Sequence, residues 1–205
     1  TILETTGFRF LDDASRAMLE RAGAETADDG MTRLGRDLVM EQVDLAPARF
    51  TLRARNPDRD LLLGDNHIVF SSVGGPAFVS DLDNGRRPGS YSNLCDYFRV
   101  IQGLNIIHQE GGVCFEPMDL PPESRHLDLY LAQLTMLDNN AQAYALGRAR
   151  TVDCLEMTAI ALGLSREELV NETAVLAIIN TNSPMQLDVP MSEAVLELAA
   201  ANQVC

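Results

Sequence analysis

Four polar residues and a proline follow an unbroken apolar run near the end of the chain. The run "AVLAII" covers 174–179 and is followed by Asn180, Thr181, Asn182 and Ser183. Such a run suits a strand that is covered on both faces, as in a parallel sheet. Because α/β proteins carry their chemistry at the carboxyl ends of parallel strands, we expect Asn180, Asn182 and Ser183 to face a pocket. The alternative is that the Asn-Thr-Asn-Ser-Pro segment is a turn that only ends the strand.

Two charged residues, Glu116 and Arg148, stand at corresponding positions after other predicted strands. Glu116 could attract a cationic ligand or act as a general base. Arg148 could hold a carboxylate through two parallel hydrogen bonds. The alternative is that the two side chains form a structural salt bridge with each other. Every predicted strand after residue 65 ends in turn or polar residues, which favours a pocket shared by these ends. The ends are Gly74-Gly75, Phe115-Glu116-Pro117, Gly147-Arg148 and 180–183.

Three aromatic residues and one histidine complete the candidate set. Phe115, Tyr144 and Tyr91 could present ring faces to a quaternary ammonium group through cation–π contacts. The chain has no Trp and 5% aromatic residues, so such a cage would be sparse, and core packing is the alternative for each ring. His108 lies beside the Gly111-Gly112 turn and is the histidine we keep as a pocket candidate. The histidines and cysteines have no metal-ligand spacing, so no metal site is predicted.

The charge balance argues against several classes of partner. The chain of 205 residues has a net charge of −14 and a pI near 4.5, which repels nucleic acid and anionic membrane surfaces. No apolar stretch approaches the roughly 20 residues that span a bilayer, and no signal segment is recognisable. The four cysteines are far apart, as expected for free thiols in a reducing compartment. We therefore expect a cytoplasmic protein without nucleic-acid or membrane partners.

The order of the elements divides the chain into two parts. Residues 1–64 are predicted to form a small α+β cap region, with helices over 11–22 and 33–43 and a strand over 47–57. Residues 65–205 alternate strand and helix, which predicts parallel βαβ units in an α/β fold. An open doubly wound sheet and half of an eight-stranded barrel both fit this order. The predicted strands cover 67–78, 111–117, 141–149 and 174–179, and the predicted helices cover 91–104, 121–139, 151–163, 165–172 and 191–202.

Three stretches carry a resemblance to a known family. They are "FTLRARNPDRDLLLG" (50–64), "VFSSVGGPAFVSDLDNGRRPGSYSNLCDYFRVIQGLNIIHQEGG" (69–112) and "AIINTNSPMQLD" (177–188). Together they resemble the trimethylamine methyltransferase family, over nearly the whole chain. The resemblance is most specific at "NTNSPM" and at a D-x-x-x-G-x-R segment formed by Asp81, Gly85 and Arg87.

The resemblance implies a TIM (β/α)8 barrel preceded by a small N-terminal region. It also implies transfer of a methyl group from a methylated amine to the cobalt of a corrinoid (cobalamin) that a partner protein carries. Members of the family are about twice as long as this chain, in line with a full barrel plus extensions. We therefore expect a partial barrel of about four βα units, truncated after its first half. We also expect a member without pyrrolysine, acting on trimethylamine or on a quaternary amine such as glycine betaine.

For a betaine, the resemblance suggests roles for the candidate residues. Phe115 with Glu116 would receive the ammonium group, and Arg148 with Asn182 and Ser183 would bind the carboxylate. A quaternary amine is already a leaving group, so the site has to desolvate it and align one methyl group with the corrinoid. The pocket mouth would have to be open enough to admit that partner-borne group.

Two other interpretations compete with the methyltransferase. A non-catalytic half-barrel could bind a small molecule or associate with a second copy, because it would expose two sheet edges and an apolar interior. That exposure also predicts a homo-oligomer. An unrelated α/β enzyme could instead bind phosphate near Gly74-Gly75.

Overall fold

Helices of very different length alternate with short paired segments along the chain. The computed structural model describes residues 2–75 and 78–205. The described residues form a mixed helix and strand structure, which confirms the predicted α/β class. The helices are α1 Ile2–Thr5, α2 Asp13–Arg21, α3 Arg36–Asp44, α4 Tyr91–Gln102, α5 Arg125–Met136, α6 Arg148–Leu162, α7 Arg166–Leu169 and α8 Val189–Ala200.

The regular strands are short and pair two by two. Three pairs are antiparallel hairpins, and one pair, β1 with β8, is parallel. A 3-10 helix at Pro57–Arg59 joins the two strands of one of these hairpins. The strands are β1 Arg9–Phe10, β2 Glu25–Thr26, β3 Thr32–Arg33, β4 Arg49–Leu52, β5 Leu61–Gly64, β6 Val79–Asp81, β7 Gly85–Arg87 and β8 Gln186–Leu187.

Five extended segments of the second part lie side by side in parallel. Single parallel bridges join Ser71 to Gln109 and Gln109 to Asn140, and further bridges join Gln142 to Leu176 and Leu176 to Val204. The order in space therefore follows the order in sequence, as in a sheet built from successive βαβ units. Helices α4, α5, α6 and α8 follow or precede these segments, and α5 packs against both α4 and α6. Pro76 and Ala77, which belong to the predicted strand 67–78, lie outside the described residues.

Two of the predicted strands are misplaced along the sequence. The second parallel segment pairs at Gln109, and 111–117 contains no strand, so the predicted strand there is wrong. Gly112 has φ +91°, a conformation that turns the chain away from the sheet immediately after the paired residue. In the third segment, Gly147 has φ +92°, and α6 begins directly after it. The predicted strand 141–149 therefore ends too late.

Helix predictions in the second part are confirmed, with shifted ends. Ser165 accepts a hydrogen bond from the Glu168 backbone N–H, and the Glu168 side chain accepts one from Ser165 N–H, so the two residues form a capping box. Ser90 begins α4 in the same manner, and Asp188 caps α8. In each case a short polar side chain satisfies backbone donors that have no partner inside the helix.

The β4–β5 hairpin covers the amino ends of the parallel segments. Arg53 N–H donates to Thr173 O at 2.7 Å and Asn56 N–H donates to Asp138 O at 3.0 Å, just before the paired residues of two segments. Leu52, at the end of the hairpin strand, is fully buried. This hairpin therefore leaves the carboxyl ends of the segments uncovered.

The first strand of the chain pairs with the last one, β8, near the start of α8. Strand β1 pairs with β8, with Arg9 opposite Gln186 and Phe10 opposite Leu187. Strand β8 directly follows the "NTNSPM" segment and precedes α8. The pairing is non-local and involves two residues on each side, so no local sequence pattern predicts it.

Two buried clusters hold the helices against the parallel segments. In the first, Ala141, Ala143 and Ala145 pack with α6 through Leu155 and Cys154. The small alanine side chains allow α6 to approach the segment closely. The second cluster packs α4 against α5 and the loop that follows Gly112, and it contains Leu94, Phe98, Ile101, Cys114, Phe115, Leu129, Ala132 and Leu137.

We expect a Gly111→Ala substitution to reduce the free energy of unfolding by roughly 3 kcal/mol, because overpacking against backbone is strongly destabilising. A Cβ atom at Gly111 would overlap with the Ser72 carbonyl oxygen of the neighbouring segment. Urea unfolding followed by circular dichroism measures the change. Gly103→Ala is the matched control, because its Cβ atom would make ordinary contacts of 3.5 Å, and we expect it to change stability little. Equal stabilities of the two variants would contradict this packing.

Candidate functional site

A pocket of about 420 Å³ lies at the carboxyl ends of the parallel segments. Most of its lining residues follow the bridged residues Ser71, Gln109, Gln142 and Leu176 along each segment, and Gln142 is itself part of the lining. The pocket thus lies where an α/β fold is expected to carry its site. Its volume is in the range of small-molecule sites. The lining residues are Gly74, Gly75, Gly111, Gly112, Val113, Glu116, Gln142, Ala143, Tyr144, Ala145, Leu146, Ile178, Asn180 and Met191.

Glu116 is the charged residue of this lining, and both of its carboxylate oxygens are held. The Tyr144 hydroxyl donates to Oε1 at 2.5 Å, and Arg125 Nη1 donates to Oε2 at 3.0 Å. Arg125 is only 12% exposed and also donates to Leu120 O at 2.8 Å, so the arginine is itself fixed in place. The carboxylate is therefore fixed in orientation on the pocket wall.

Tyr144 contributes both a hydrogen bond and an aromatic ring to the pocket. Burial, together with the hydrogen bond to Glu116, raises the pKa of the Tyr144 phenol to about 12. At neutral pH the hydroxyl is therefore protonated and acts as the donor to Glu116. The Arg150 guanidinium lies 5.4 Å from the centre of the ring, and the His126 ring centre is 6.2 Å away.

Arg148 lies outside the pocket lining. Its Nη2 pairs with Glu197 Oε1 of α8 at 2.7 Å, and its backbone N–H donates to Glu193 Oε2 at 3.0 Å. The alternative of a Glu116–Arg148 salt bridge is wrong, because Arg125 takes the place beside Glu116. Arg148 is the first residue of α6, so its side chain leaves a helix end, and its role as a carboxylate ligand stays a prediction.

Three other candidates, Phe115, Tyr91 and His108, lie outside the pocket lining. Phe115 is 5% exposed and packs in the second buried cluster, directly against Gly89. Tyr91 packs at the edge of the same cluster. His108 Nδ1 accepts a hydrogen bond from Phe70 N–H at 3.0 Å. A role for these rings in ammonium binding stays a prediction.

The polar segment 180–183, which follows the apolar run 174–179, contributes to the pocket and also forms a turn. Asn180 lines the pocket. Asn182 belongs to a turn, because its N–H donates to Gln186 O at 2.7 Å and its Oδ1 accepts from Asp188 N–H at 3.2 Å. Ser183 follows in that turn and is outside the lining. The structure therefore brings together Gly74-Gly75, Glu116 and Asn180 from the predicted strand ends.

Glu110 is a buried acid that the sequence did not single out. Burial raises the pKa of its carboxyl group from 4.5 to about 8, although a hydrogen bond from Gly112 N–H to Oε2 at 2.9 Å acts in the opposite direction. Oε1 has no partner among the described residues. Glu110 thereby supports the turn at Gly112, which is part of the pocket lining. In the sequence it stands beside two glycines, where a carboxylate is ordinarily exposed.

Residues 2–75 and 78–205 also bear on metal binding and on membrane insertion. No group of three or more His, Cys, Asp or Glu side chains there is arranged to hold a metal ion. Among the helices of the same part of the chain, none is both long and apolar enough to cross a membrane.

The fold and pocket define an α/β protein with an acid-bearing pocket at the carboxyl ends of its parallel segments. The chain belongs to the trimethylamine methyltransferase (MTTB) family, whose model matches residues 1–205. This confirms the resemblance seen in the sequence. The chain is also 29% identical over 202 residues to a glycine betaine methyltransferase of Desulfitobacterium hafniense (strain Y51). That match covers 98% of this chain and 42% of the relative, so the chain spans less than half of the relative's length.

We expect a Glu110→Gln substitution to stabilise the protein at pH 8 by on the order of 3 kcal/mol. The folded wild type keeps a proton that the unfolded chain releases above 4.5, so its stability falls as pH rises from 4.5 towards 8. Glutamine keeps an acceptor for Gly112 N–H and does not titrate. Thermal unfolding at several pH values measures the difference, with the exposed Glu123→Gln as the control. A gap between E110Q and the wild type that does not grow from pH 5 to pH 8 would contradict this assignment.

Proposed function

We propose that this protein binds a methylated amine in the pocket and takes part in transfer of a methyl group from it to a corrinoid protein. The observation that carries the proposal is the wall formed by Glu116 and Tyr144 in a lining that otherwise consists of glycines, apolar residues and two amides. Membership of the trimethylamine methyltransferase family supports the reaction class. The relative named for glycine betaine supports a quaternary amine as the substrate.

A quaternary ammonium group is recognised by charge and by ring faces. Its nitrogen carries no hydrogen, so it donates no N–H hydrogen bond, and its charge is spread over methyl groups. The Glu116 carboxylate offers the opposite charge, and Tyr144 offers a ring beside it. Arg125 keeps this carboxylate in one position, which lowers the cost of ordering the site when the amine binds.

The residues of this chain would act by positioning and by excluding water. The corrinoid would supply the nucleophile that accepts the methyl group, while the C–N bond breaks and its electron pair stays on the amine nitrogen. The apolar lining around Ile178 and Met191 removes water from the ammonium group, which strengthens its interaction with Glu116. No side chain has to move a proton, because a quaternary amine leaves as a neutral tertiary amine.

The rim of the pocket fits the approach of a corrinoid carried by a partner. The exposed Gly74 and Gly75 line this side, and neither carries a side chain that would obstruct a flat macrocycle. The β4–β5 hairpin covers the opposite ends of the segments. We therefore propose that the corrinoid protein docks at the side of the pocket formed by Gly74 and Gly75.

The architecture of the family suggests a fold proposal that accompanies this function. We propose that residues 65–205 form the first half of a (β/α)8 barrel and that residues 1–64 form its cap region. The five parallel segments in sequence order support it. The exposed apolar side chains of Ile68 and Val73, each 74% exposed near the first segment, support a homo-oligomer. We keep a cytoplasmic location and a member without pyrrolysine as part of the proposal.

We expect the purified protein to methylate reduced cobalamin in the presence of glycine betaine, with the spectral change of the corrinoid as the measurement. A Glu116→Gln substitution should lower kcat/KM at least about tenfold, because the amine loses its counter-charge while Tyr144 keeps an acceptor. Glu156→Gln, on the exposed side of α6, is the matched control.

Unchanged transfer in E116Q would contradict the proposed site. Amine binding without any transfer would favour the alternative, a non-catalytic half-barrel that binds a small molecule.

A further inference from the structure

Helix α3, Arg36–Asp44, is hardly covered by the rest of the described chain. None of its nine residues is buried, and Gly35 at its start provides no side-chain cap for the first backbone N–H groups. An isolated helix shorter than about 12 residues is marginal in water, so a helix of this length depends on packing for its stability. The packing that the single chain provides for α3 is therefore incomplete.

The uncovered side of α3 is largely apolar. Met40 is 45% exposed and Val43 is 56% exposed, and their spacing from Arg36 along the helix places all three on one face. A groove of about 310 Å³ between α3 and α1 continues this surface, and Ile2 in its wall is 61% exposed. The groove shares no lining residue with the pocket around Glu116. An exposed apolar surface of this kind marks a place of association.

The charged residues at the two ends of the face oppose the helix dipole. Arg36 stands at the positive amino end of α3, and Asp44 stands at the negative carboxyl end. Neither side chain forms an ion pair or a hydrogen bond with a described residue. Asp37 in the first turn favours the dipole, but it lies on the flank of the face. In the single chain, Arg36 and Asp44 are thus both at the unfavourable end of their helix.

A second copy of the same helix, packed antiparallel, makes both charges favourable. In an antiparallel pair of α3 helices centred on Met40, position 36 of one helix lies opposite position 44 of the other. Arg36 then lies beside Asp44 of the other copy, at the negative end of that helix. Asp44 in turn lies at the positive end of the other helix, where Gly35 leaves backbone N–H groups without a side-chain cap. This arrangement is self-complementary, as a two-fold interface has to be.

We propose that two copies of this protein associate through antiparallel contact of their α3 helices, with Arg36 of each copy beside Asp44 of the other. The proposal does not depend on the methyl-transfer reaction, and it names a surface distinct from the exposed Ile68 and Val73. A contact along one nine-residue helix is small by the standard of permanent interfaces, so we expect a dimer that dissociates on dilution.

Sedimentation velocity over a range of protein concentrations measures the dissociation constant of the dimer. Arg36→Asp and Asp44→Arg should each raise it at least about tenfold, because each change places two like charges opposite each other. The double variant R36D/D44R has opposite charges again, and its dissociation constant should return to within about threefold of the wild-type value. Glu156→Arg, on the exposed side of α6, changes the net charge as much as D44R does, and we expect it to leave the constant unchanged.

The two single variants separate pairing from general charge and from folding. Arg36→Asp makes the chain more negative and Asp44→Arg makes it less negative, so general repulsion would shift their dissociation constants in opposite directions. Each change also favours the dipole of α3 in the single chain, so a weaker dimer would not result from loss of the helix. Circular dichroism of each variant checks that the helix content is kept.

Three results would overturn the proposal. The first is a wild type that stays monomeric at every concentration. The second is a dimer whose dissociation constant is unchanged in R36D or in D44R, which would place the contact elsewhere, for example at the exposed Ile68 and Val73. The third is a dimer that both single changes weaken and the double variant does not recover, because opposite charges at positions 36 and 44 are what the antiparallel pairing requires.

Discussion

The hydrogen bonds to the Glu116 carboxylate join the parts of the structure that the candidate site depends on. Glu116 lies in the loop after the second parallel segment, Tyr144 follows the third segment, and Arg125 is the first residue of α5. A carboxylate that is held at both oxygens by a buried arginine and a phenol keeps its orientation. The two contacts therefore fix one loop, one segment and one helix end relative to each other at the pocket.

A second constraint is the close approach of backbone at the glycine turn. Gly111 lies against the Ser72 carbonyl, and Gly112 lies against the Gln142 amide. Glu110 anchors the same turn from the buried side through Gly112 N–H. The turn thus leaves one side of the pocket without side chains and sets the position of the Gln142 amide. It also lies beside the Glu110 carboxyl group, whose pKa is raised by burial to about 8.

Local patterns in the sequence were sufficient for the helices and for the place of the pocket. The capping box at Ser165 and Glu168 and the apolar spacing of α4 depend on residues close in sequence, which is why they could be predicted. The polar residues that follow the predicted strands include Glu116 and Asn180, which both line the pocket, and their role in binding stays a prediction. The partner of Glu116 could not be found in this way, because Arg125 reaches it from a helix start. A signal was nevertheless present, since Arg125 follows Pro121 and Pro122, which mark that start. Gln142 and Glu110 gave no signal, because their importance follows from burial.

The central claim is that the pocket recognises the positive charge of a methylated ammonium group. The most direct test compares the affinities of glycine betaine and 3,3-dimethylbutyrate, which has the same shape with carbon in place of the charged nitrogen. Titration calorimetry on the wild type provides both dissociation constants under identical conditions. We predict that glycine betaine binds at least about tenfold more tightly than 3,3-dimethylbutyrate, a difference in binding free energy of about 1.4 kcal/mol. Equal affinities for the two ligands would contradict it, because shape and carboxylate would then explain all of the binding.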